Sequence, residues 1–208
     1  MLQAFRNFLT RRTFAYKARN KAMNMFSSFE NFKAIRKKAE DSRKDANRPH
    51  EVLYFHKVDD PYSHLTIHFI EKFKSTYDVK FKSILVGEEN PAALHEPSLY
   101  TDYCLEDVKR IAPFYGVDFP GIDYPKKDLV NKANAILSAV SEEEFESIAK
   151  QVSHAIWSDD QEKLNSLGES YQTSEAEVIE KLKIGNEIRN SCDYYFGSAF
   201  YYEKELYW

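Results

Sequence analysis

Four consecutive residues, Asp60-Pro61-Tyr62-Ser63, supply a carboxylate, a phenol and a hydroxyl within one turn of chain. These are the groups that acid–base catalysis and thiolate recognition draw on. Asp is a good N-cap and Pro belongs at the first helical position, so the spacing predicts a helix that begins here. Several backbone N–H groups point outward at such a start, a natural place for an anion, a thiolate or a nucleophile. Asp before Pro is also ordinary capping. A catalytic Asp60 needs a pKa raised by crowding against Asp59 or by burial, and the helix N-terminus pulls the other way. His56, His64 and His68 lie close by and invite a metal, but a helix that turns Leu65 and Phe69 toward the core points His64 and His68 largely elsewhere. They read as surface or capping residues, and no metal is expected.

The elements that position this turn follow from periodicity. Val52-Leu53-Tyr54-Phe55 has the branched and aromatic content of a buried strand, and Tyr62, Leu65, Phe69 and Phe73 recur at helical spacing after it. Tyr77–Gly87 reads as a second strand, so the stretch is a βαβ unit with parallel strands and a right-handed crossover. From Glu88 to about Leu167 the pattern is helical, with helices near 101–115, 128–140 and 142–158, the last carrying a stripe of Phe145, Ile148, Val152 and Ile156. Ser174 and Glu177 form a capping box that opens a further helix, expected to break near Gly185, with one more helical turn over 186–195. Two short strands, 199–202 and 205–208, make a closing hairpin. A hairpin that ends on an apolar strand calls for a cover, either the N-terminal arm or residues beyond Trp208.

Residues 1–47 read as helix, with Phe5, Phe8, Leu9, Phe26, Phe29, Phe32 and Ile35 at three- and four-residue spacing. Net charge is −4, yet residues 1–50 carry 13 Lys and Arg against 4 Asp and Glu, and the remainder 16 against 29. A basic arm on an acidic body suits packing on that body or in a homo-oligomer better than a membrane surface or a nucleic acid, for which no module is recognisable. Cys104 and Cys192 form no CxxC pair and read as small packing groups in a reduced, cytoplasmic setting. No apolar run approaches a membrane span or a secretory signal.

Strand, helix, strand, helical insert, helix and hairpin, in that order, resemble the DsbA-like thioredoxin superfamily. The nearest branch is that of 2-hydroxychromene-2-carboxylate isomerases and kappa-class glutathione transferases. Three places carry the resemblance: Tyr54-Phe55 through Asp60-Pro61-Tyr62-Ser63-His64-Leu65, against the branch's strand and Ser-Pro-Tyr-Ser turn; Tyr103–Pro120, with Asp107, Arg110, Tyr115-Gly116 and Phe119-Pro120; and Phe196-Gly197 running into Phe200–Trp208. It implies an α/β thioredoxin-like domain over 51–87 and 168–208, an inserted helical domain over 88–167, and an extra helical arm over 1–50. It also implies a pocket between the Asp60 turn and the loop at Ser198-Ala199-Phe200, with the insert as its lid.

Two departures qualify what the resemblance implies. Asp60 and Ser63 stand where redox members have their two cysteines, which excludes thiol–disulfide exchange at this turn. Asp60 also replaces the serine that isomerase and transferase members use toward the glutathione thiolate, and an ionised carboxylate accepts but does not donate. Ser198-Ala199-Phe200 replaces the usual cis-proline loop, where a trans bond is the default. Two functions stay open. One is a glutathione-dependent isomerase or transferase acting on a small molecule, with Asp60, Tyr62 and Ser63 catalytic and Pro61, Ser198, Ala199 and Phe200 holding glutathione. The other is a catalytically degenerate binding or assembly module of the same fold.

Overall fold

The computed structural model describes residues 14–87, 94 and 96–208. The chain divides into two units, Met1–Pro49 and His50–Trp208. In the first, the single helix expected to residue 47 is two helices, α1 (Phe14–Phe26) and α2 (Phe29–Asp45). The break falls at Ser27-Ser28 because Ser28 is an extended N-cap whose Oγ accepts the Asn31 amide at 3.2 Å. Phe5, Phe8 and Leu9 lie outside the described residues. No side chain of α2 is buried against α1.

The second unit is built on a four-stranded sheet of order β2-β1-β3-β4. Strand β1 (Glu51–His56) pairs in parallel with β2 (Lys80–Leu85), with Phe55 opposite Ile84, and antiparallel with β3 (Ala199–Tyr202), with Tyr54 opposite Phe200. Strand β4 (Glu205–Tyr207) closes the hairpin. The crossover from β1 to β2 holds two short helices rather than one, α3 (Pro61–Ile67) and α4 (Ile70–Thr76). At the joint the His68 ring donates from Nδ1 to the His64 carbonyl at 2.7 Å, and the amides of His68 and Phe69 bond three residues back instead of four.

The helical region contains α5 (Pro97–Ile111), continued by a 3₁₀ turn at Ala112–Tyr115, then α6 (Lys127–Ala139), α7 (Phe145–Trp157) and α8 (Gln161–Ser170). Helix α9 (Glu175–Ser191) opens on the expected Ser174–Glu177 capping box but does not break at Gly185. It runs straight through, because Gly185 is where the helix crosses β2: a Cβ there would sit 1.9 Å from the Leu85 carbonyl oxygen. The glycine marks a close approach, not a helix end.

Side chains alternate across β1 as a pleated strand requires. Tyr54 belongs to the large core with Ile67, Ile70, Leu85 and the apolar faces of α6, α7 and α8. Phe55 belongs to a smaller one with Ile84, Ala199 and Cys192, against which Ile188 of α9 packs. The insert therefore shares its principal core with one face of the sheet, and the C-terminal end of β1 cannot move independently of it. Among the described residues no helix is long and apolar enough to cross a membrane.

Candidate functional site

Beyond the end of β1 the chain turns at Lys57–Asp59, where the Asp60 amide returns to the Lys57 carbonyl at 3.3 Å and Lys57 pairs with Asp59 at 2.9 Å. Asp60 is the N-cap of α3: Oδ2 accepts the Ser63 amide at 2.9 Å and the Ser63 hydroxyl at 2.7 Å, and Oδ1 accepts the Tyr62 amide at 3.4 Å. The carboxylate thus sits among the outward N–H groups at which a ligand anion would bind. Ser63 is fully buried, and its oxygen also accepts the Lys57 amide at 3.2 Å. Its hydroxyl is committed to holding the turn closed.

The loop before β3 passes directly over this turn. A Cβ on Gly197 would lie 2.8 Å from Lys57 Cβ and 2.9 Å from Asp60 Oδ2, so only glycine allows the approach. Among the described residues there is no cis peptide bond, and Ser198 adopts a positive φ of 52°. The Ser198 amide donates to the Phe55 carbonyl at 2.9 Å, and its hydroxyl lies 2.7 Å from that of Thr66. Ala199 is buried, while Phe200 packs between Tyr54 and Phe73 with ring centroids 5.3 and 5.5 Å away.

Helix α5 completes the surroundings. The Tyr62 hydroxyl donates to Asp107 Oδ2 at 2.7 Å, tying the turn to the insert. Burial, with that bond to a carboxylate, pushes the Tyr62 phenol far above its ordinary value. One turn earlier on α5 is Cys104, and two turns earlier is Tyr100. Burial raises the Cys104 thiol and the Tyr100 phenol, and the nearby Asp60 charge adds to both. Burial and then Asp60 do the same to Tyr194, whose hydroxyl donates to the Gly197 carbonyl at 3.2 Å. A protonated thiol ringed by phenols and a carboxylate is a poor nucleophile. The arrangement supplies neutral O–H groups beside carboxylates, not an activated attacking group.

Beside the turn opens a cleft of about 1130 Å³, walled by the aromatic rings of α3, α4, α5, the 194–196 segment and the hairpin. Of the residues singled out from the sequence, Asp60, Tyr62, Ser198 and Phe200 line it, whereas Pro61, Ser63 and Ala199 are buried and do not. Tyr100, Asp107 and Tyr194 reach the site without having been read as functional. Tyr100, Cys104 and Asp107 do lie at helical spacing in the sequence, but only the packing of α5 decides that this stripe meets the turn.

The histidines correct the sequence reading. His56 and His64 are almost entirely buried, not on the surface. His64 donates from Nε2 to the Asp118 carbonyl at 2.7 Å and accepts the Ser153 hydroxyl at Nδ1 at 2.9 Å, fastening α3 to the insert. His56 Nδ1 meets the Tyr54 hydroxyl at 2.9 Å, and its other nitrogen has no partner. Burial lowers His56 to about 3 and His64 to about 4, with a smaller contribution at His56 from His64. Three or more metal-ligating side chains do not gather anywhere among the described residues.

No protein-family model and no curated protein matches the chain. Solved structures do. A 2-hydroxychromene-2-carboxylate isomerase is similar over 76% of this chain and 88% of its own, at 16% identity and a TM-score of 0.55. A Nitrosomonas europaea protein described as a candidate protein disulfide isomerase is similar over 77% of this chain and 88% of its own, at 14% identity and a TM-score of 0.57. At these identities the likeness is one of fold, and the chain has a DsbA-like thioredoxin fold with a helical insert.

Proposed function

We propose that this chain is a non-catalytic binding module of the thioredoxin fold, with the cleft beside the Asp60 turn as its ligand site. One observation carries the reading. The Asp60 carboxylate already takes the Ser63 hydroxyl and two amides at the helix start, the donors that a thiolate would need. A sulfur anion brought there would meet like charge in place of a donor. The two free, buried cysteines offer no exchangeable pair, and they also support a reduced, cytoplasmic setting.

Titration of the protein with reduced glutathione is expected to give no heat of binding into the millimolar range, and conjugation, isomerisation and insulin-reduction assays are expected to stay at background. Saturable glutathione binding or any turnover overturns the reading. Asp60→Ser serves as the control, because it returns a hydroxyl donor to the turn.

The size of the cleft and the fold shared with the isomerase favour a second reading, a glutathione-dependent isomerase or transferase. In it Asp60 and Tyr62 act on the substrate, and Ser198 and Phe200 hold glutathione along the loop. It has Asp60 act as a general acid or base, so its activity would vanish in Asp60→Asn.

A further inference from the structure

We propose that the cleft selects an uncharged, planar aromatic molecule and rejects anionic ones of the same shape. This rests on the reading of the cleft as a binding site. Its walls are ring pairs: Tyr100 stacked on Phe196 with centroids 5.2 Å apart, Phe69 against Tyr115 edge-on at 5.5 Å, and Phe73 against Phe200 edge-on at 5.5 Å. Such surfaces reward a flat π system over a branched aliphatic one. Polar groups near the turn are largely occupied by one another. Tyr62 donates to Asp107, Tyr194 donates to the Gly197 carbonyl, and Thr66 and Ser198 share a hydrogen bond. A ligand rich in hydrogen-bonding groups would lose water there and find few replacements.

Charge sets the second half of the preference. Asp60 and Asp193 line the cleft, and Lys72, an exposed side chain, is the one cation among the described lining residues. Arg189 is buried behind this wall and reaches the Phe196 carbonyl at 3.5 Å, but it does not line the cleft. The phenols of Tyr100 and Tyr194 and the thiol of Cys104 are held protonated by burial and by the Asp60 charge, so they add no negative charge of their own and no cation. An anionic ligand would therefore enter an apolar space next to two carboxylates.

The test uses two fluorescent probes with the same rings, neutral N-phenylnaphthylamine and its sulfonate, anilinonaphthalene sulfonate. The neutral probe is expected to bind one per chain and to quench the emission of Trp208, which lines the cleft. The sulfonate is expected to bind at least about tenfold more weakly, and the gap is expected to close to about threefold in the double variant Asp60→Asn, Asp193→Asn. Asparagine suits both positions, as an N-cap at 60 and in the left-handed conformation of Asp193, whose φ is 54°. Equal affinity for the two probes, or tighter binding of the sulfonate, overturns the charge preference while leaving the cleft a binding site. Binding of neither probe overturns both. Quenching that persists unchanged in Trp208→Phe places the probe elsewhere and also overturns the proposal.

Discussion

Asp60 separates into a capping role and a charge, and substitution tells them apart. Asp60→Asn keeps one acceptor oxygen for the Ser63 amide and hydroxyl, loses only the longer bond to the Tyr62 amide, and should cost little stability, whereas Asp60→Ala strands both amides and the Ser63 hydroxyl and should cost about 2 kcal/mol. Urea unfolding of the two variants measures the difference, and equal losses would show that the acceptor is not what holds the turn. The buried histidines set a pH dependence of their own. Their folded values, about 3 for His56 and about 4 for His64, lie below the ordinary unfolded value of about 6.5. Below that pH the unfolded chain takes up protons that the folded chain refuses, so stability falls as pH drops from about 6.5 toward those folded values, by up to about 1.4 kcal/mol per pH unit for each ring. Urea unfolding between neutrality and mildly acid pH should show this slope, and His64→Gln should reduce it by roughly half. A stability flat across that window would remove the buried neutral rings from the account.

At the scale of elements, α9 approaches β2 closely at Gly185. Gly185→Ala would place a methyl 1.9 Å from the Leu85 carbonyl oxygen and 3.4 Å from Ile84 Cγ2, so the helix must lift off the strand. A loss on the order of 3 kcal/mol is expected. Gly168, inside α8, has nothing within 4 Å of the corresponding position, and Gly168→Ala should instead gain up to about 1 kcal/mol. Thermal melts of the pair check the reasoning, since a common sign would refute it. Elements were also where the sequence was most readable. The apolar and alternating runs predicted β1 and β2, and Asp60-Pro61 and Ser174–Glu177 predicted two helix starts that the structure keeps. The breaks were less legible. Gly185 reads locally as a helix end, and the joint between α3 and α4 depends on a His68 ring that reaches back to a carbonyl.

For the whole molecule, the division at Pro49 and His50 predicts that a chain starting at His50 folds by itself and keeps its cleft, with cooperative unfolding and neutral-probe binding unchanged. The arm is proposed as the element through which copies assemble. Phe29, Phe32 and Ile35 of α2 are exposed, and the helix buries nothing against α1. Light scattering should then report a mass above that of one chain for the full protein and a single chain for the shortened one. An unchanged mass per chain would end the proposal.

The sequence by itself determined the order of the main elements, the strand-to-helix turn at Asp60 and the absence of cysteines from that turn, because strand and helix periods, caps and residue types are local properties of the chain. Tertiary structure alone decided which of those side chains remain available. Ser63 and Ala199 are buried, His56 and His64 are interior, and Tyr100, Asp107 and Tyr194 arrive at the turn from segments 37 or more residues away. The physical reason is that exposure and pairing depend on how α5 and the loop at Gly197 pack against the turn, contacts between residues far apart in sequence that no local pattern encodes. What reads in the sequence as a turn equipped for an anion is, once folded, a turn whose anion is its own Asp60.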